Sequence, residues 1–278
     1  MDSLSVLLPS SLVSDSHSPL EKTFKLGMVA RALALFRVDE VVIYRDRDPH
    51  VRDHRREMEF MSTVLRYAET PQYLRKLLFP KLEALRYVGL LSPLRTPHHP
   101  LQGEKNREGE FREAAVLKAE RGRSLLELGL EEKGVVERRL EVGSRVTVRL
   151  GKREGGLWRV EVVPPESTGE YWGYRVLERD SLSEAVKRYE AYFKIGTSRY
   201  GKKLEELRRS LREMKPKRLM VAFGGPYGGL SSVCEREGRR VEELFHLVVN
   251  TLPGQGTATV RTEEAMLATL ALLRAEVE

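Results

Sequence analysis

Three stretches in the last third of the chain place glycine and small polar residues directly after apolar, strand-like runs. They are Gly196–Ser198, the run GGPYGG at 224–229, and Asn250–Thr259. Glycine lets backbone N–H and C=O groups approach a ligand without interference from a Cβ atom. The carboxyl ends of parallel strands share one edge of a sheet, where such folds bind ligands. A single Gly-Gly after a strand is usually a turn, but three such stretches in succession predict a ligand site.

The motifs in these stretches indicate which kind of ligand the site takes. No stretch contains GxxxxGK[ST], which argues against a Walker-type triphosphate site. GQGTAT at 254–259 resembles GxGxxG but ends in threonine, and no later strand supplies an acidic residue for a ribose. A dinucleotide site is therefore disfavoured. Loops that offer backbone polar groups and little positive charge fit a ligand with an adenosine group and no phosphates.

The histidines do not form a recognisable metal motif. His50 and His54 are spaced i, i+4, and His98 and His99 are adjacent. Neither pair is accompanied by HExxH or by a cysteine partner, so we expect no metal site.

Composition narrows the class of protein. The 278 residues are enough for one large or two smaller domains. Lys and Arg total 48 against 41 Asp and Glu, a net charge of +7, which favours a polyanionic partner such as RNA. The single cysteine, Cys234, excludes an internal disulfide framework and a thiolate zinc cluster. With no run of 18 apolar residues and no leader-like N-terminus, we expect a soluble, cytoplasmic protein without a membrane partner.

The first third of the chain alternates strand and helix. The run Leu4–Val13 predicts a strand, and the helical spacing that follows Ser18 and Pro19 predicts a capped helix. DEVVIYRD then predicts a second, buried strand. A crossover of about twenty residues between two strands is typical of a right-handed parallel unit. A further helix is broken at Thr70–Pro71.

From about Thr96 the pattern changes to short strand-like runs separated by turn signals, which is typical of a small all-β barrel. Strand–helix units resume after Ser181. We therefore predict one discontinuous α/β domain, residues 1–95 and 173–278, with helices on both faces of a parallel sheet. An inserted OB-like barrel, residues 96–172, interrupts it. Three tandem domains are disfavoured because residues 1–95 are few for an open parallel sheet.

The predicted barrel mixes aromatic side chains with cations, as expected of a surface that stacks bases and contacts phosphates. The alternative, equally open, places Trp158 in the barrel core and Trp172 in domain packing. A second basic segment, YRDRDPHVRDHRR, is either a further RNA contact or a solvated loop. The candidate RNA-binding residues are Arg149, Lys152, Arg153, Trp158, Arg159, Trp172 and Arg175.

Several of these stretches resemble the motifs of one methyltransferase superfamily. NTLPGQGTATVRTEEA resembles the third motif of the SPOUT (α/β-knot) methyltransferases, VAFGGPYGGL resembles the second, and IGTSRYG lies where the first is found. YAETPQYLRKLLFPKLEALRYVGLLSPLRTPHHPL closely resembles a signature of an archaeal and eukaryotic subfamily with an inserted OB-like barrel. The resemblance covers most of the chain. It implies a trefoil knot near the C-terminus, S-adenosylmethionine bound in a bent form, and a homodimer.

The resemblance also implies which residues form the site. The adenine of the methyl donor would lie between the second and third stretches. Ser198 and Arg199 would act at the methyl group, with Arg199 orienting the acceptor and Arg261 as a weaker candidate for that role. The implied cofactor-binding residues are Thr197, Arg199, Gly224, Gly225, Gly228, Asn250, Thr251, Leu252, Gly254, Gln255 and Thr257.

The function implied by the resemblance is S-adenosylmethionine-dependent methylation of RNA, either rRNA or tRNA. Uridine N3 in large-subunit rRNA is one candidate target. Methyl transfer is an in-line displacement, so the enzyme mainly positions donor and acceptor, and the proton of the acceptor must be removed. Two alternatives stay open. One is a non-catalytic RNA-binding or ribosome-assembly factor, and the other is a protein methyltransferase, which the basic barrel disfavours.

Overall fold

The computed structural model describes residues 1–101 and 103–277, and the chain divides into two compact units. We call them the sheet unit and the barrel unit after the strands they contain. The sheet unit comprises Met1–Arg66, Ala84–Ser92 and Tyr174–Glu278, and the barrel unit comprises Tyr67–Glu83 and Pro93–Gly173.

The secondary structure follows the predicted alternation of elements. The strands are β1 (Ser3–Pro9), β2 (Glu40–Tyr44), β3 (Phe111–Glu120), β4 (Arg123–Glu127), β5 (Gly134–Val136), β6 (Arg145–Glu154), β7 (Leu157–Val162), β8 (Arg175–Arg179), β9 (Phe193–Lys202), β10 (Arg218–Ala222) and β11 (Leu247–Val249). The helices are α1 (Pro19–Leu35), α2 (His54–Glu69), α3 (Gln72–Leu78), α4 (Leu182–Lys187), α5 (Leu204–Met214), α6 (Leu230–Arg236), α7 (Val241–Leu244) and α8 (Thr262–Val277). Short 3-10 turns lie at Ser10–Val13, Glu83–Leu85, Val88–Leu90 and Pro165–Thr168.

Parallel pairing joins the strands of the sheet unit in the order β11-β9-β10-β1-β2-β8. Val6 of β1 pairs with Val221 of β10 on one side and with Val41 of β2 on the other. β1 therefore connects the first and last thirds of the chain within one sheet. β1 and β2 are mostly aliphatic and almost entirely buried, as expected of strands in a parallel sheet that is covered on both faces. The predicted α/β class with a parallel sheet is confirmed.

The predicted helix boundaries in the first third are confirmed. The Ser18 hydroxyl accepts a hydrogen bond from the Glu21 backbone N–H at 3.2 Å, and Pro19 occupies the first turn of α1. Proline suits that position because its missing N–H would have no helical partner. α2 ends and α3 begins on either side of Thr70–Pro71.

The barrel unit contains a closed barrel in the order β3-β4-β5-β7-β6. Aliphatic residues from these strands pack around Trp158 in its interior. The predicted small all-β barrel is confirmed. β8 follows the barrel in the chain and pairs in parallel with β2 at the edge of the sheet.

The barrel unit also includes residues 67–83, so its limits differ from the predicted 96–172. Arg145 of β6 donates hydrogen bonds to both carboxylate oxygens of Glu69, at 2.6 and 3.0 Å. The Tyr73 hydroxyl donates to the Glu113 carbonyl oxygen at 2.9 Å. Burial alone would raise the pKa of Glu69, but the Arg145 and His98 side chains lower it to about 2. These contacts attach the end of α2 and the start of α3 to the barrel, and the sequence pattern carries no signal for them.

Within the described residues, no helix is both long enough and apolar enough to cross a membrane.

Candidate functional site

The carboxyl ends of β9, β10 and β11 surround a cavity of about 380 Å³ in the sheet unit. These strands are neighbours in the sheet, so the three small-residue stretches predicted to form a site do meet at one edge. The cavity is lined by Thr197, Ser198, Arg199, Tyr200, Phe223, Gly224, Gly225, Pro226, Tyr227, Gly228, Gly229, Ser232, Val249, Asn250, Thr251, Leu252, Gln255, Thr259, Val260, Thr262 and Ala265.

The first stretch is extended strand, so the prediction that Gly196–Ser198 forms a loop is wrong. β9 continues to Lys202, which pairs with Val249 of β11. A Cβ atom on Gly201 would lie 2.6–2.8 Å from backbone atoms of Val249, so only glycine permits this close approach of the two strands. Gly201 lies inside the IGTSRYG motif, but its need for glycine depends on a strand about fifty residues later.

The second stretch is a tight loop after β10. The Gly225 N–H donates to the Gly228 carbonyl at 2.9 Å and closes the loop. A Cβ atom on Gly224 would lie 2.7 Å from the Cα atom of Gly229, so this position also requires glycine. The buried Tyr44 hydroxyl donates to the Phe223 carbonyl at 2.6 Å and holds the start of the loop against β2.

Hydrogen bonds from the third stretch and from the helix that follows it hold this edge of the sheet together. The Asn250 side-chain amide donates to the Arg199 carbonyl at 2.9 Å, and its oxygen accepts from the Leu252 N–H at 2.9 Å. The Thr262 hydroxyl at the start of α8 donates to the Gly224 carbonyl at 2.9 Å. Asn250 therefore connects the third stretch to β9, and the start of α8, which follows the third stretch, is connected to the second loop.

Most predicted cofactor and catalytic residues line the cavity. Gly254 lines a second cavity of about 380 Å³, and Thr257 is exposed and lines neither cavity. Thr257 instead offers its carbonyl to the Gln255 side chain at 2.8 Å. The predicted residues that line the first cavity are Thr197, Ser198, Arg199, Gly224, Gly225, Gly228, Asn250, Thr251, Leu252 and Gln255. The other lining residues were not named as candidates, although several of them lie within the predicted stretches or motifs; they are Tyr200, Phe223, Pro226, Tyr227, Gly229, Ser232, Val249, Thr259, Val260, Thr262 and Ala265.

Charge in the first cavity is sparse. Among the described residues that line it, Arg199 is the only one with a formal charge. One Arg199 guanidinium nitrogen donates to the Ala258 carbonyl at 2.9 Å, which fixes the side chain against the third stretch. The Ser198 hydroxyl accepts from the Tyr200 N–H at 3.2 Å. A lining of backbone groups and hydroxyls with one cation suits a nucleoside-sized ligand without phosphates. Arg261, the weaker candidate, is exposed and is not a lining residue of this cavity.

A buried polar cluster lies directly behind the second loop. The Ser10 and Ser11 hydroxyls donate to the two carboxylate oxygens of Asp46, at 2.8 and 2.5 Å. Ser10 Oγ also lies 2.7 Å from His54 Nδ1. These residues follow β1 and β2, so the sheet order places them beside the loop that follows β10. The segment YRDRDPHVRDHRR is not a fully solvated loop, because Asp46 and Asp48 are buried. Its arginines Arg47, Arg52, Arg55 and Arg56 are exposed, and an RNA contact by them stays a prediction.

The structure corrects part of the predicted RNA-binding set. Trp158 and Trp172 are only 3% and 9% exposed, so neither ring presents a face for stacking on a base. Trp158 belongs to the barrel core, and the Trp172 indole N–H donates to the Glu113 carboxylate at 2.5 Å. Arg175 lies in β8 of the parallel sheet, where it forms an ion pair with Glu40 at 2.9 Å.

The remaining cations lie on the barrel. Arg153 pairs with Glu132 at 3.1 Å, and Arg159 pairs with two glutamates at 2.8 and 3.0 Å. Arg149 and Lys152 are exposed and form no ion pair within the described residues. Arg149 and Arg159 also line a barrel cavity of about 430 Å³ together with Glu108, Gly109, Leu150, Gly151, Val160 and Glu161.

The paired histidines have structural partners. His98 Nε2 and His99 Nε2 lie 2.9 and 2.6 Å from the Glu69 carbonyl oxygen. Burial, together with the neighbouring His98, lowers the pKa of His99 to about 3, so His99 is neutral near pH 7. In the described part of the chain, no group of three or more His, Cys, Asp or Glu side chains is arranged to hold a metal ion.

Comparison with known proteins assigns the chain to a family of enzymes. A family model described as "Putative RNA methyltransferase" matches residues 3–273. A 28S rRNA (uridine-N(3))-methyltransferase of Homo sapiens is 36% identical over 98% of this chain and 77% of that protein. The protein of the same name from Drosophila melanogaster is 33% identical over 99% of this chain and 62% of that protein. The chain thus spans roughly two thirds to three quarters of the length of these relatives.

A solved structure was also found in the comparison. The SpoU methyltransferase AviRb from Streptomyces viridochromogenes, in complex with AdoMet, matches with a TM-score of 0.39 and 12% identity over 99% of this chain and 58% of that one. A score at this level does not establish a common fold. The assignment to the family depends on the match to the family model and on the sequence identity to the relatives, not on this structure.

Proposed function

The chain belongs to the RNA methyltransferase family that this model describes, and on that premise we propose that it methylates RNA with S-adenosylmethionine as the methyl donor. The observation that carries the proposal is the cavity where β9, β10 and β11 end. It is the place where the three motif-bearing stretches meet.

The cavity fits S-adenosylmethionine in size and in chemistry. A volume of about 380 Å³ falls within the range of small-molecule pockets. Backbone groups of the glycine loop and hydroxyls such as Thr197 can hydrogen-bond an adenosine group. A Cβ atom on the lining residue Gly229 would meet no atom within 4 Å, so this wall is open toward a ligand. We assign the predicted residues that line the cavity to cofactor binding.

The chain contributes position and electrostatics to the reaction. S-adenosylmethionine supplies a methyl group on a sulfonium, and transfer breaks the S–CH₃ bond as the bond to the acceptor forms. Holding donor and acceptor in line supplies up to about 7–11 kcal/mol of the rate enhancement. We propose that Arg199 orients the acceptor and stabilises the negative charge that develops on it as its proton leaves to solvent. We place Ser198 beside Arg199, where its hydroxyl accepts the Tyr200 N–H and fixes the backbone of β9 that carries the guanidinium.

We propose uridine N3 of large-subunit rRNA as the acceptor. The support is that the human and fly relatives are named for this activity and match almost the whole of this chain. A ring nitrogen that carries a proton between two carbonyl oxygens also suits a cationic donor such as Arg199.

We propose that the barrel, residues 96–172 in the predicted domain, contacts the RNA backbone. Arg149 and Lys152 support this assignment because both are exposed on β6 and neither has a carboxylate partner within the described residues. Cations of this kind bind phosphates without reading sequence. Arg153 and Arg159 would have to exchange their glutamate partners for phosphates.

We further propose that the protein is a homodimer whose C-terminal segment is threaded as a trefoil knot, as the resemblance implies. A stripe of apolar side chains on α1 supports the dimer: Leu20, Phe24, Met28 and Leu35 are 43–62% exposed. Leu267 of α8, which packs against α1, extends this apolar surface at 45% exposure. Exposed apolar surface of this extent is typical of an interface. An RNA substrate and a single cysteine are also consistent with a cytoplasmic location.

The test compares nucleosides in total RNA from cells with and without the gene, by mass spectrometry. We expect one methylated uridine to disappear from large-subunit rRNA and to return when purified protein and S-adenosylmethionine are added to that RNA. A protein that binds S-adenosylmethionine but restores no methyl group to any RNA would be an assembly factor. Methyl incorporation into protein alone would identify a protein methyltransferase.

A further inference from the structure

A second cavity of about 380 Å³ adjoins the first at the same edge of the sheet. It is lined by Arg199, Tyr200, Asn250, Leu252, Gly254 and Gln255. All of these except Gly254 also line the first cavity, so the two spaces share a wall. Two adjoining spaces are what a two-substrate reaction needs, one for the methyl donor and one for the acceptor.

Tyr200 is the most unusual side chain in the shared wall. It is 82% exposed, the largest exposed fraction of any large apolar side chain in the described part of the chain. The Arg199 guanidinium carbon lies 4.7 Å from the centre of the Tyr200 ring, a cation–π contact. Arg199 is fixed in turn by its bond to Ala258 and by the Asn250 bond to its carbonyl. The ring is therefore held in position by a restrained neighbour and still presents exposed surface.

The other aromatic residues of the first cavity are engaged elsewhere. Phe223 is 1% exposed. Tyr227 stacks on His50 with ring centres 4.7 Å apart, and its hydroxyl donates to the Ser14 carbonyl at 3.1 Å. Tyr227 thereby helps to build the second loop. Among the described lining residues, Tyr200 is the one whose aromatic ring is free to receive a planar ligand.

We propose that the second cavity is the acceptor subsite and that Tyr200 stacks on a pyrimidine base extruded from the RNA. This inference rests on the proposed RNA methyltransferase function. An enzyme that modifies a ring atom takes the base out of the stack, and an aromatic side chain replaces the stacking that is lost. With its face stacked on Tyr200, the base would point its edge toward the first cavity. The Arg199 guanidinium and the Gln255 amide, which line both cavities, would lie beside that edge. Tyr200 is a binding residue here and takes no proton.

The test uses three variants of the full chain. Tyr200→Ala removes the ring, Tyr200→Phe removes only the hydroxyl, and Tyr87→Ala removes a tyrosine that makes a similar contact with Arg86, at 5.4 Å, outside both cavities. The assays are calorimetric titration with S-adenosylmethionine and methyl transfer to rRNA from cells that lack the gene. For Tyr200→Ala we expect kcat/KM for RNA to fall about tenfold or more, since base–aromatic stacking contributes that much, while S-adenosylmethionine affinity falls by a smaller factor, because the ring only borders the first cavity. Tyr200→Phe and Tyr87→Ala should match the wild type.

A cross-linking experiment tests the contact itself. Large-subunit rRNA transcribed with 4-thiouridine is irradiated with the wild-type protein, and the cross-linked peptide is identified by mass spectrometry. We expect a cross-link at Tyr200. Wild-type kcat/KM in Tyr200→Ala, or a cross-link found only outside the second cavity, would overturn the subsite while leaving the proposed function in place. If the wild-type protein transfers no methyl group to RNA, the proposed function fails, and the cross-link alone decides whether Tyr200 contacts a base.

Discussion

A Cβ atom added to Gly225 would overlap the side-chain oxygen of Ser11 and would lie 3.2 Å from a carboxylate oxygen of Asp46. The Ser11 hydroxyl cannot move aside easily, because it donates to Asp46 at 2.5 Å within a buried cluster. Gly225 lines the proposed cofactor cavity on its other side. The wall of that cavity is therefore packed against Ser11 and Asp46, which come from the first fifty residues of the chain.

Gly225→Ala is expected to weaken S-adenosylmethionine binding about tenfold, because overpacking a filled site costs about 1–3 kcal/mol and the loop must shift. Ser11→Ala in the same chain should restore most of the affinity, since the Ser11 Cβ atom is 3.5 Å from the added methyl group. Calorimetry on the two single variants and the double variant measures the coupling. Gly256→Ala, where an added Cβ meets no atom within 4 Å, is the control. Wild-type affinity in Gly225→Ala would show that Ser11 does not support the loop.

Thr262→Val is expected to lower S-adenosylmethionine affinity and to reduce the free energy of unfolding by about 1 kcal/mol. The substitution keeps the shape of the side chain but removes the hydroxyl that donates to the Gly224 carbonyl. Thr262→Ser keeps the hydroxyl and should behave as the wild type. Calorimetry and urea unfolding measure the two effects. Equal values for the Val and Ser variants would mean that this bond does not hold α8 to the second loop.

The barrel unit is expected to lose stability as the pH falls below about 6.5. The pKa of His99 is lowered by burial to about 3, so the unfolded chain binds more protons between pH 6.5 and 3. The loss is at most about 1.4 kcal/mol per pH unit for one group. Glu69, whose pKa is about 2 despite burial because of Arg145, adds a loss only between about pH 4.5 and 2.

His99→Gln should flatten the unfolding free energy between pH 6.5 and 4.5 while leaving the loss at lower pH. Tryptophan fluorescence in urea reports this unit selectively, because both tryptophans of the chain, Trp158 and Trp172, lie in it. If the free energy of unfolding of the Gln variant falls as steeply with pH as that of the wild type, the pH dependence comes from other groups.

Arg149→Ala combined with Lys152→Ala is expected to weaken RNA binding and to reduce the slope of log affinity against log salt by about one to two. Each free cation that contacts a phosphate displaces a counterion, so its loss is seen in the slope. Arg123→Ala is the control, because Arg123 is an exposed barrel cation already paired with Glu137 at 2.6 Å. Binding to an rRNA transcript is measured between 50 and 200 mM salt, about the range over which such contacts respond. An unchanged slope would mean that Arg149 and Lys152 do not contact RNA phosphates.

Phe24→Glu is expected to convert the proposed dimer to monomers in light scattering at micromolar concentration, because a charge buried in an apolar interface is not compensated. Met214→Glu is a matched control, since Met214 is 59% exposed on α5, outside the stripe on α1. Dissociation by both variants, or by neither, would contradict the assignment of the stripe.

Local patterns in the sequence determined much of this protein. The Ser18–Pro19 cap, the break at Thr70–Pro71 and the barrel strands depend on neighbours a few residues away, and the structure has them where the spacing predicted. The glycine stretches likewise marked the site, because close backbone approach requires the residue type itself.

Only the tertiary structure decided what lies opposite each of those residues. The order of strands in the sheet placed Ser11 and Asp46 behind Gly225. Pairing with β11 extended β9 past Ser198. Closure of the barrel buried Trp158 in its core. The physical reason is that pairing and burial are set by contacts between distant segments. A side chain's own neighbours in the chain fix its local conformation but carry no information about which remote surface covers it.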